Sequence, residues 1–310
     1  MLVEFVTSPL IVHGRCQTRQ MSVEMRHAFV GAGGIGGLLA AALARAGADV
    51  VVLMRAEALE RYGGRLIVES AVLGDFDVGV RAAPGLEEEV DVLWVATKAT
   101  QLEPALELAP PERVGDATVI PLLNGVDHVR VLRARYRNVV PGAIRVESER
   151  IEPGRIRQSS PFLHVDLAGA DTVAAELSGA GIDCSVRADE LSMLWQKLAF
   201  LAPVALATTA LDGPLGAVRG DERYRRCKDE AVAVGRAEGA TIDESALRAL
   251  ERGAPDEMRS SMQKDVAAGR EPELDAIAGP ILRGGTRHEI PVTGTTTLAA
   301  LVADRAGVQL

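Results

Sequence analysis

The chain has 310 residues, 47% of them apolar and only 3% aromatic, with a formal charge of −9. At roughly 100–200 residues per domain, this length suggests two domains with ample core. The acidic balance argues against nucleic acid as a general partner, because gripping phosphates needs a basic surface. The longest apolar stretch, Leu198 to Leu211, contains Pro203 and falls short of the roughly 18 residues a membrane span needs. Cys16, Cys184 and Cys227 make neither a disulfide framework nor a metal spacing, and His13, His27, His128, His164 and His288 do not cluster. No metal is therefore expected, and a reducing cytoplasm fits best.

Residues 1–25 lack the basic start of a signal peptide and are expected to be a disordered extension, or an artefact of an upstream start with Met21 or Met25 as the real one. Ala28, Phe29 and Val30 then form a short β-like run that leads into Gly31-Ala32-Gly33-Gly34-Ile35-Gly36-Gly37 and an Ala- and Leu-rich helix from about Leu38 to Arg45. Strand, glycine turn and helix together carry a dinucleotide mechanism. Gly31 permits the tight turn, Gly33 lets a pyrophosphate approach the backbone, and Gly36 lets helix and strand pack closely. The helix N-terminus would hold the phosphate. Ala48 to Met54 reads as a buried parallel strand, completing a βαβ unit. The strand ends in Arg55, where an acidic residue would suit NAD; a cation suits a 2′-phosphate, hence NADP(H), with a plain surface arginine as the alternative.

Leu66–Ser70 and Phe76–Val80 read as short strands around Gly74. Val90–Ala96 and Val119–Leu123 are further strands, and their carboxyl ends carry Lys98, Gln101 and Asn124 to the expected ligand edge. Asn138–Ile151, Arg155–Gln158 and Phe162–Leu167 read as antiparallel strands, followed by a helix over Thr172–Gly179 and a last strand over Ile182–Val186. The α/β part therefore spans 26–187.

From 188 to 310 the pattern is helical. Asp189 is the expected N-cap of a long helix, apolar on nearly all sides and kinked at Pro203. Further helices are expected over Asp221–Glu238, Glu244–Arg252, Pro255–Ala268, Pro272–Leu282 (interrupted at Gly279-Pro280) and Val292–Arg305. Lys197 stands out within the apolar helix, near Trp195 and Leu198 with Leu194 and Leu201 one turn away. Burial would lower its pKa toward that of a proton donor working near neutrality. Snorkelling to the surface is the alternative. Ser261 and Asp265 share a helix face, and Glu273 begins the next helix. They could bind a small polar substrate, or equally serve as a cap, a surface charge and a first-turn acid.

Taken in order, the glycine loop, Arg55, the Thr97-Lys98-Ala99-Thr100-Gln101 loop, Leu123-Asn124-Gly125-Val126, Glu152-Pro153-Gly154, Leu194-Trp195-Gln196-Lys197-Leu198 and the Ser260–Asp275 stretch resemble the ketopantoate reductase (2-dehydropantoate 2-reductase) family. The resemblance runs from about His27 to Val302. It implies an N-terminal Rossmann-type doubly wound sheet and an all-α C-terminal domain of the 6-phosphogluconate dehydrogenase type. It also implies NADPH-dependent reduction of a 2-keto acid, 2-dehydropantoate to (R)-pantoate. By the same resemblance Lys197 is the general acid, with Glu273 as partner to that lysine and to the substrate hydroxyl. Ser261 is expected at the substrate carboxylate, and Asp265 supports the site. Arg55 and Lys98 take the 2′-phosphate, Gly31, Gly33, Gly34, Ile35, Gly36 and Gln101 the cofactor, and Asn124 lies near both ligands. The family's two asparagines four and eight residues after the lysine are replaced here by Leu201 and Ala205, which bears on the choice of keto acid. A related β-hydroxyacid or opine-type dehydrogenase, and an NADP(H)-binding sensor without turnover, are the other readings. The apolar helical part is compatible with a homodimer.

Overall fold

The computed structural model describes residues 25–309. The expected N-terminal extension lies outside these residues except for Met25. The described chain starts with β1 (Arg26–Val30), α1 (Gly34–Arg45), β2 (Asp49–Leu53), α2 (Ala56–Leu59), β3 (Arg65–Ser70), β4 (Phe76–Gly79), β5 (Arg81–Ala83) and β6 (Val92–Val95). It continues through α3 (Leu102–Leu106), α4 (Pro111–Val114), β7 (Thr118–Pro121) and α5 (His128–Arg135). Five of these strands form an all-parallel sheet in the order β5-β2-β1-β6-β7.

Side-chain alternation sends the strands into two cores. Phe29, Val52 and Trp94 pack with Leu38 and Leu39 of α1 on one face, while Ala28, Val30, Leu93 and Val95 pack with Leu106 and Leu132 on the other. Helices thus cover both faces, as a doubly wound Rossmann-type sheet requires. The chain leaves β1 toward β2 on one side and returns to β6 on the other, so a crevice opens at the carboxyl ends of β1 and β6.

Helix α1 begins at Gly34, four residues before the expected start, so the glycine loop itself supplies the first turn. At Gly36 a Cβ would lie 2.0 Å from the Gly31 carbonyl oxygen and 3.0 Å from Ala96 Cβ. Replacing Gly36 with alanine is therefore expected to cost roughly 1–3 kcal/mol by overpacking the helix against the strand. A urea titration gives the value, and an unchanged midpoint would contradict this packing account.

The stretch expected as one strand from Asn138 to Ile151 is two. β8 (Gly142–Arg145) and β9 (Ser148–Glu152) belong to different sheets. With β10 (Arg155–Gln158), β11 (His164–Leu167), α6 (Asp171–Gly179) and β12 (Asp183–Val186), they complete a four-stranded sheet β4-β3-β10-β9 and a three-stranded sheet β12-β11-β8. The expected antiparallel pairing holds for β10 with β9 and for β11 with β8, but β10 lies parallel to β3 and β11 parallel to β12. His27, fully buried on β1, accepts at Nδ1 from the Trp94 indole, so its Nε2 carries the hydrogen donated to Glu176.

The remainder is helical: α7 (Glu190–Ala210), α8 (Leu215–Val218), α9 (Glu222–Ala237), α10 (Glu244–Gly253), α11 (Ser261–Ala267), α12 (Leu274–Arg287) and α13 (Thr293–Ala306). Asp189 caps α7 through the Ser192 amide, at 3.0 Å. Among the described residues α7 is the one helix long and apolar enough to cross a membrane by composition alone, but two-thirds of its apolar window is buried inside the fold. It runs as one element through Pro203, and its residues share a core with α9, α12 and α13.

Two helix boundaries differ from expectation. Residues 255–260 are not helical; the amides of Leu215 and Gly216 donate to the carbonyls of Met258 and Asp256, which holds this segment as a loop. Helix α11 starts only after Ser260, whose Oγ accepts from the Gln263 amide. Helix α12 passes through Gly279 and Pro280 without interruption, because burial of Ile277, Ala278 and Ile281 outweighs local propensity. Gly279 also leaves room for the Asp275–Arg283 ion pair, whose atoms a Cβ would meet at 2.3–2.7 Å.

Candidate functional site

The site forms where the carboxyl ends of β1, β6 and β7 meet α7, α11 and α12. On the sheet side, Gly31 adopts φ +97°, and a Cβ there would lie 2.8 Å from the Thr97 methyl. Gly33 is the N-cap of α1, so no side chain occupies the free amides of the first turn, and a Cβ at Gly33 would meet nothing within 4 Å. The tight turn, the open approach and the close packing thus fall on Gly31, Gly33 and Gly36. Gly34 is hemmed in differently: a Cβ would lie 2.4 Å from the Ser148 carbonyl of β9, and the Ser148 hydroxyl donates to the Gly34 carbonyl. Thr97 Oγ1 is buried at this edge with no hydrogen-bond partner among the described residues. Open backbone, uncapped amides and an orphaned hydroxyl fit the pyrophosphate of a dinucleotide.

Arg55 lies two residues past β2 as the exposed N-cap of α2, with no acidic partner for its side chain among the described residues. Gln101 is also exposed, on the short turn after Lys98. Lys98 is not free: its ammonium pairs with Asp265 Oδ2 at 2.6 Å. Asp265 is buried in α11 and also accepts from Arg270 Nε at 2.9 Å. The expected phosphate ligand and the expected substrate-side acid are thus joined across the cleft.

Glu273 is 8% exposed, just before α12. Its Oε1 accepts from the Ala99 amide at 2.8 Å and its Oε2 from Asn124 Nδ2 at 3.1 Å. No ion pair within 4.0 Å joins it to Lys197, and its carboxylate acts on that lysine through its charge. Lys197 itself is half-buried in the apolar helix α7. Burial pushes its pKa down to about 8; the Glu273 carboxylate opposes that shift and the Arg145 guanidinium adds to it. Ser261 is the exposed first residue of α11, whereas its neighbour Ser260 is buried against Thr208, with the two hydroxyl oxygens 2.8 Å apart.

Sequence reasoning missed His128 and Arg145. His128 opens α5, only four residues after Asn124, and is 6% exposed, yet neither ring nitrogen has a hydrogen-bond partner among the described residues. Burial pushes its pKa down to about 4, helped by the charge of Lys197. No local pattern marks this residue. Arg145 ends β8 and pairs with the buried Asp166 at 3.0 Å. Its signal was the two-residue alternation with Ala143, hidden while Asn138–Ile151 was read as one strand.

Comparison with known proteins agrees with this architecture. Residues 27–165 match the family model described as ketopantoate reductase PanE/ApbA, and 189–306 match its C-terminal counterpart. A 2-dehydropantoate 2-reductase of Caulobacter vibrioides is 32% identical over 291 residues, covering 89% of this chain and 97% of that protein. The Mycobacterium tuberculosis 2-dehydropantoate 2-reductase is 32% identical over 295 residues, covering 89% and 96%. A ketopantoate reductase structure from Ralstonia eutropha superposes with a TM-score of 0.80 at 27% identity, covering 91% and 99%. A D-mandelate dehydrogenase, solved with NADH and anilino(oxo)acetate, shares the fold with a TM-score of 0.81 at 21% identity, covering 91% and 99%. Both family models, full-length coverage and the shared two-part fold agree: the chain belongs to the ketopantoate reductase family of oxidoreductases.

Proposed function

We propose that the chain reduces a 2-keto acid to the 2-hydroxy acid with NADPH, most simply 2-dehydropantoate to (R)-pantoate. The observation that carries this reading is Lys197, a lysine held near pKa 8 in the apolar helix α7, across from Glu273 and Asn124. Negative charge develops on the carbonyl oxygen as the ketone is reduced. A lysine ammonium in a water-poor cleft stabilises that oxygen and gives it a proton. With its pyrophosphate held along Gly31–Gly36, a bound NADPH would supply the hydride. Glu273 aligns the Asn124 amide and raises the lysine's affinity for its proton. Ser261 offers its exposed hydroxyl to the substrate, and Asp265 fixes the α11 side of the cleft through Lys98. The free thiols Cys184 and Cys227 suit a cytoplasmic enzyme.

Leu201 and Ala205 favour a second reading within the same chemistry. Both belong to the apolar packing of the helical part, Ala205 within it and Leu201 at its edge, so neither offers a substrate an amide. A 2-keto acid with an apolar branch would suit them better than the hydroxylated one. Loss of NADPH absorbance with ketopantoate and a panel of branched 2-keto acids decides between them. If the pure protein turns over none of these, the reductase reading fails.

Arg55 gives a separate test of cofactor choice. Removing its charge in Arg55→Ala is expected to reduce the preference for NADPH over NADH by roughly tenfold, the worth of one charge-assisted contact to a phosphate. Equal KM ratios for the two cofactors in wild type and variant would refute the assignment.

A further inference from the structure

The three-stranded sheet has two unlike faces. Ile144, Val165 and Leu167 point into the core beneath α1. Ala143, Arg145, His164 and Asp166 point the other way, as the pairing of Ala143 with Asp166 and of Arg145 with His164 requires. Ala143 packs there on Met193 and Leu194 of α7, together with Val129. Arg145 lies two residues further along the same strand face, and Lys197 lies one turn beyond Met193 along α7. The Arg145 guanidinium is close enough for its charge to lower the pKa of Lys197.

The charged groups on this face converge on Asp166. Asp166 is 3% exposed and receives both Arg145, at 3.0 Å, and Arg187, at 2.6 Å, as well as His164 Nε2 at 3.1 Å. Burial works against its charge, but His164, Arg187 and Arg145 together hold its pKa below the usual carboxylate range. Two guanidinium groups thus share Asp166, and Asp183 balances them from the far side of His164, at 2.6 Å, so what Arg145 offers is unused donors rather than net charge. Arg145 gives Asp166 a single close contact and has no other acidic partner among the described residues, so most of its five N–H donors remain available. His128, kept neutral by burial, adds one ring N–H donor nearby. An anionic ligand answers the unused donors of Arg145.

We propose that Arg145, braced by Asp166, binds the carboxylate of the 2-keto acid and supplies the polar recognition that Leu201 and Ala205 no longer give. This rests on the reductase reading above. The substrate class that follows is a monoanionic 2-keto acid with an apolar branch: its carboxylate on Arg145, its keto oxygen on Lys197 and its branch on the Leu201 side.

The test compares wild type, Arg145→Met, Arg145→Lys and Arg187→Met, using ketopantoate, 2-oxo-3-methylbutanoate and the uncharged methyl ester of the latter. For Arg145→Met the KM of both acids is expected to rise roughly 10- to 100-fold with kcat little changed, the loss of a charge-assisted contact. The KM for the ester should stay within about twofold, and Arg145→Lys should recover part of the loss. Arg187→Met, which leaves Asp166 to Arg145 alone but keeps the Arg145 guanidinium, should raise the KM of both acids by less than Arg145→Met does; an equal or larger rise would count against the clamp. Calorimetric binding of the 2-hydroxy acid product should weaken in parallel with KM. An equal rise for acid and ester, or unchanged acid KM in Arg145→Met, would overturn the proposal. A wild type inactive on every keto acid removes the reductase reading instead; calorimetry then still decides, since carboxylate binding that is absent, or indifferent to Arg145→Met, refutes the clamp.

Discussion

Lys197→Met is expected to lower kcat for ketone reduction by roughly 10²–10⁴-fold, the usual contribution of a positioned proton donor, while cofactor affinity changes little. The pH profile gives the same residue a signature. Lys197 titrates near pH 8 and must be protonated to act as the acid. For reduction, kcat/KM should therefore be flat below about pH 8 and fall tenfold per unit above it. Oxidation of the 2-hydroxy acid needs the neutral amine and should show the opposite limb. Burial sets this pKa first; Glu273 before α12 raises it and Arg145 on β8 lowers it. Removing Arg145 takes away a repelling charge, so the limb should move to higher pH. A Lys197→Met enzyme with full activity, or a wild-type profile without a break between pH 7 and about 9, would refute the role.

Gly125→Ala should damage stability and turnover together. Gly125 has φ +83°, where a side chain costs roughly 1–2 kcal/mol. In addition, an added Cβ would lie 2.1 Å from the Ala276 carbonyl oxygen in the first turn of α12. Backbone on both sides leaves little room to yield, so the Asn124–Asp127 turn must move away from the helix. That movement breaks the Asn124–Glu273 contact, which spans only 3.1 Å. A loss of roughly 2–4 kcal/mol in denaturant unfolding is expected, from strain and overpacking together, with a fall in kcat that added substrate does not restore. Wild-type stability and kcat in the variant would show that the contact between this turn and α12 matters to neither.

How legible the site was depended on the range of the interactions involved. The glycine loop could be read residue by residue, because the turn at Gly31 and the contact at Gly36 are consequences of missing side chains in one short segment. Lys197 could be found because a cation in an apolar helix is conspicuous in one dimension. The Lys98–Asp265 pair could not: its partners lie 167 positions apart and meet only after the helical part packs on the sheet. The same holds for Glu273, whose acceptors looked like a first-turn acid until Ala99 and Asn124 were brought to them. Arg145 was lost through a wrong strand boundary, since alternation assigns faces only when the strand's ends are known. The helix expected from Pro255 failed for a related reason, because backbone bonds from Leu215 and Gly216 claim that segment first.

Glu273 also bears on how such a chain can change its substrate over time. Its two oxygens hold a loop after β6 and a loop after β7, so altering it disturbs the reaction and the seating of the two halves at once. Leu201 has no such double duty. Selection can therefore redecorate such positions one residue at a time while the tie stays constant, and substrate diversity within this architecture should collect on α7 and β8 and be sparse where Glu273 grips the sheet.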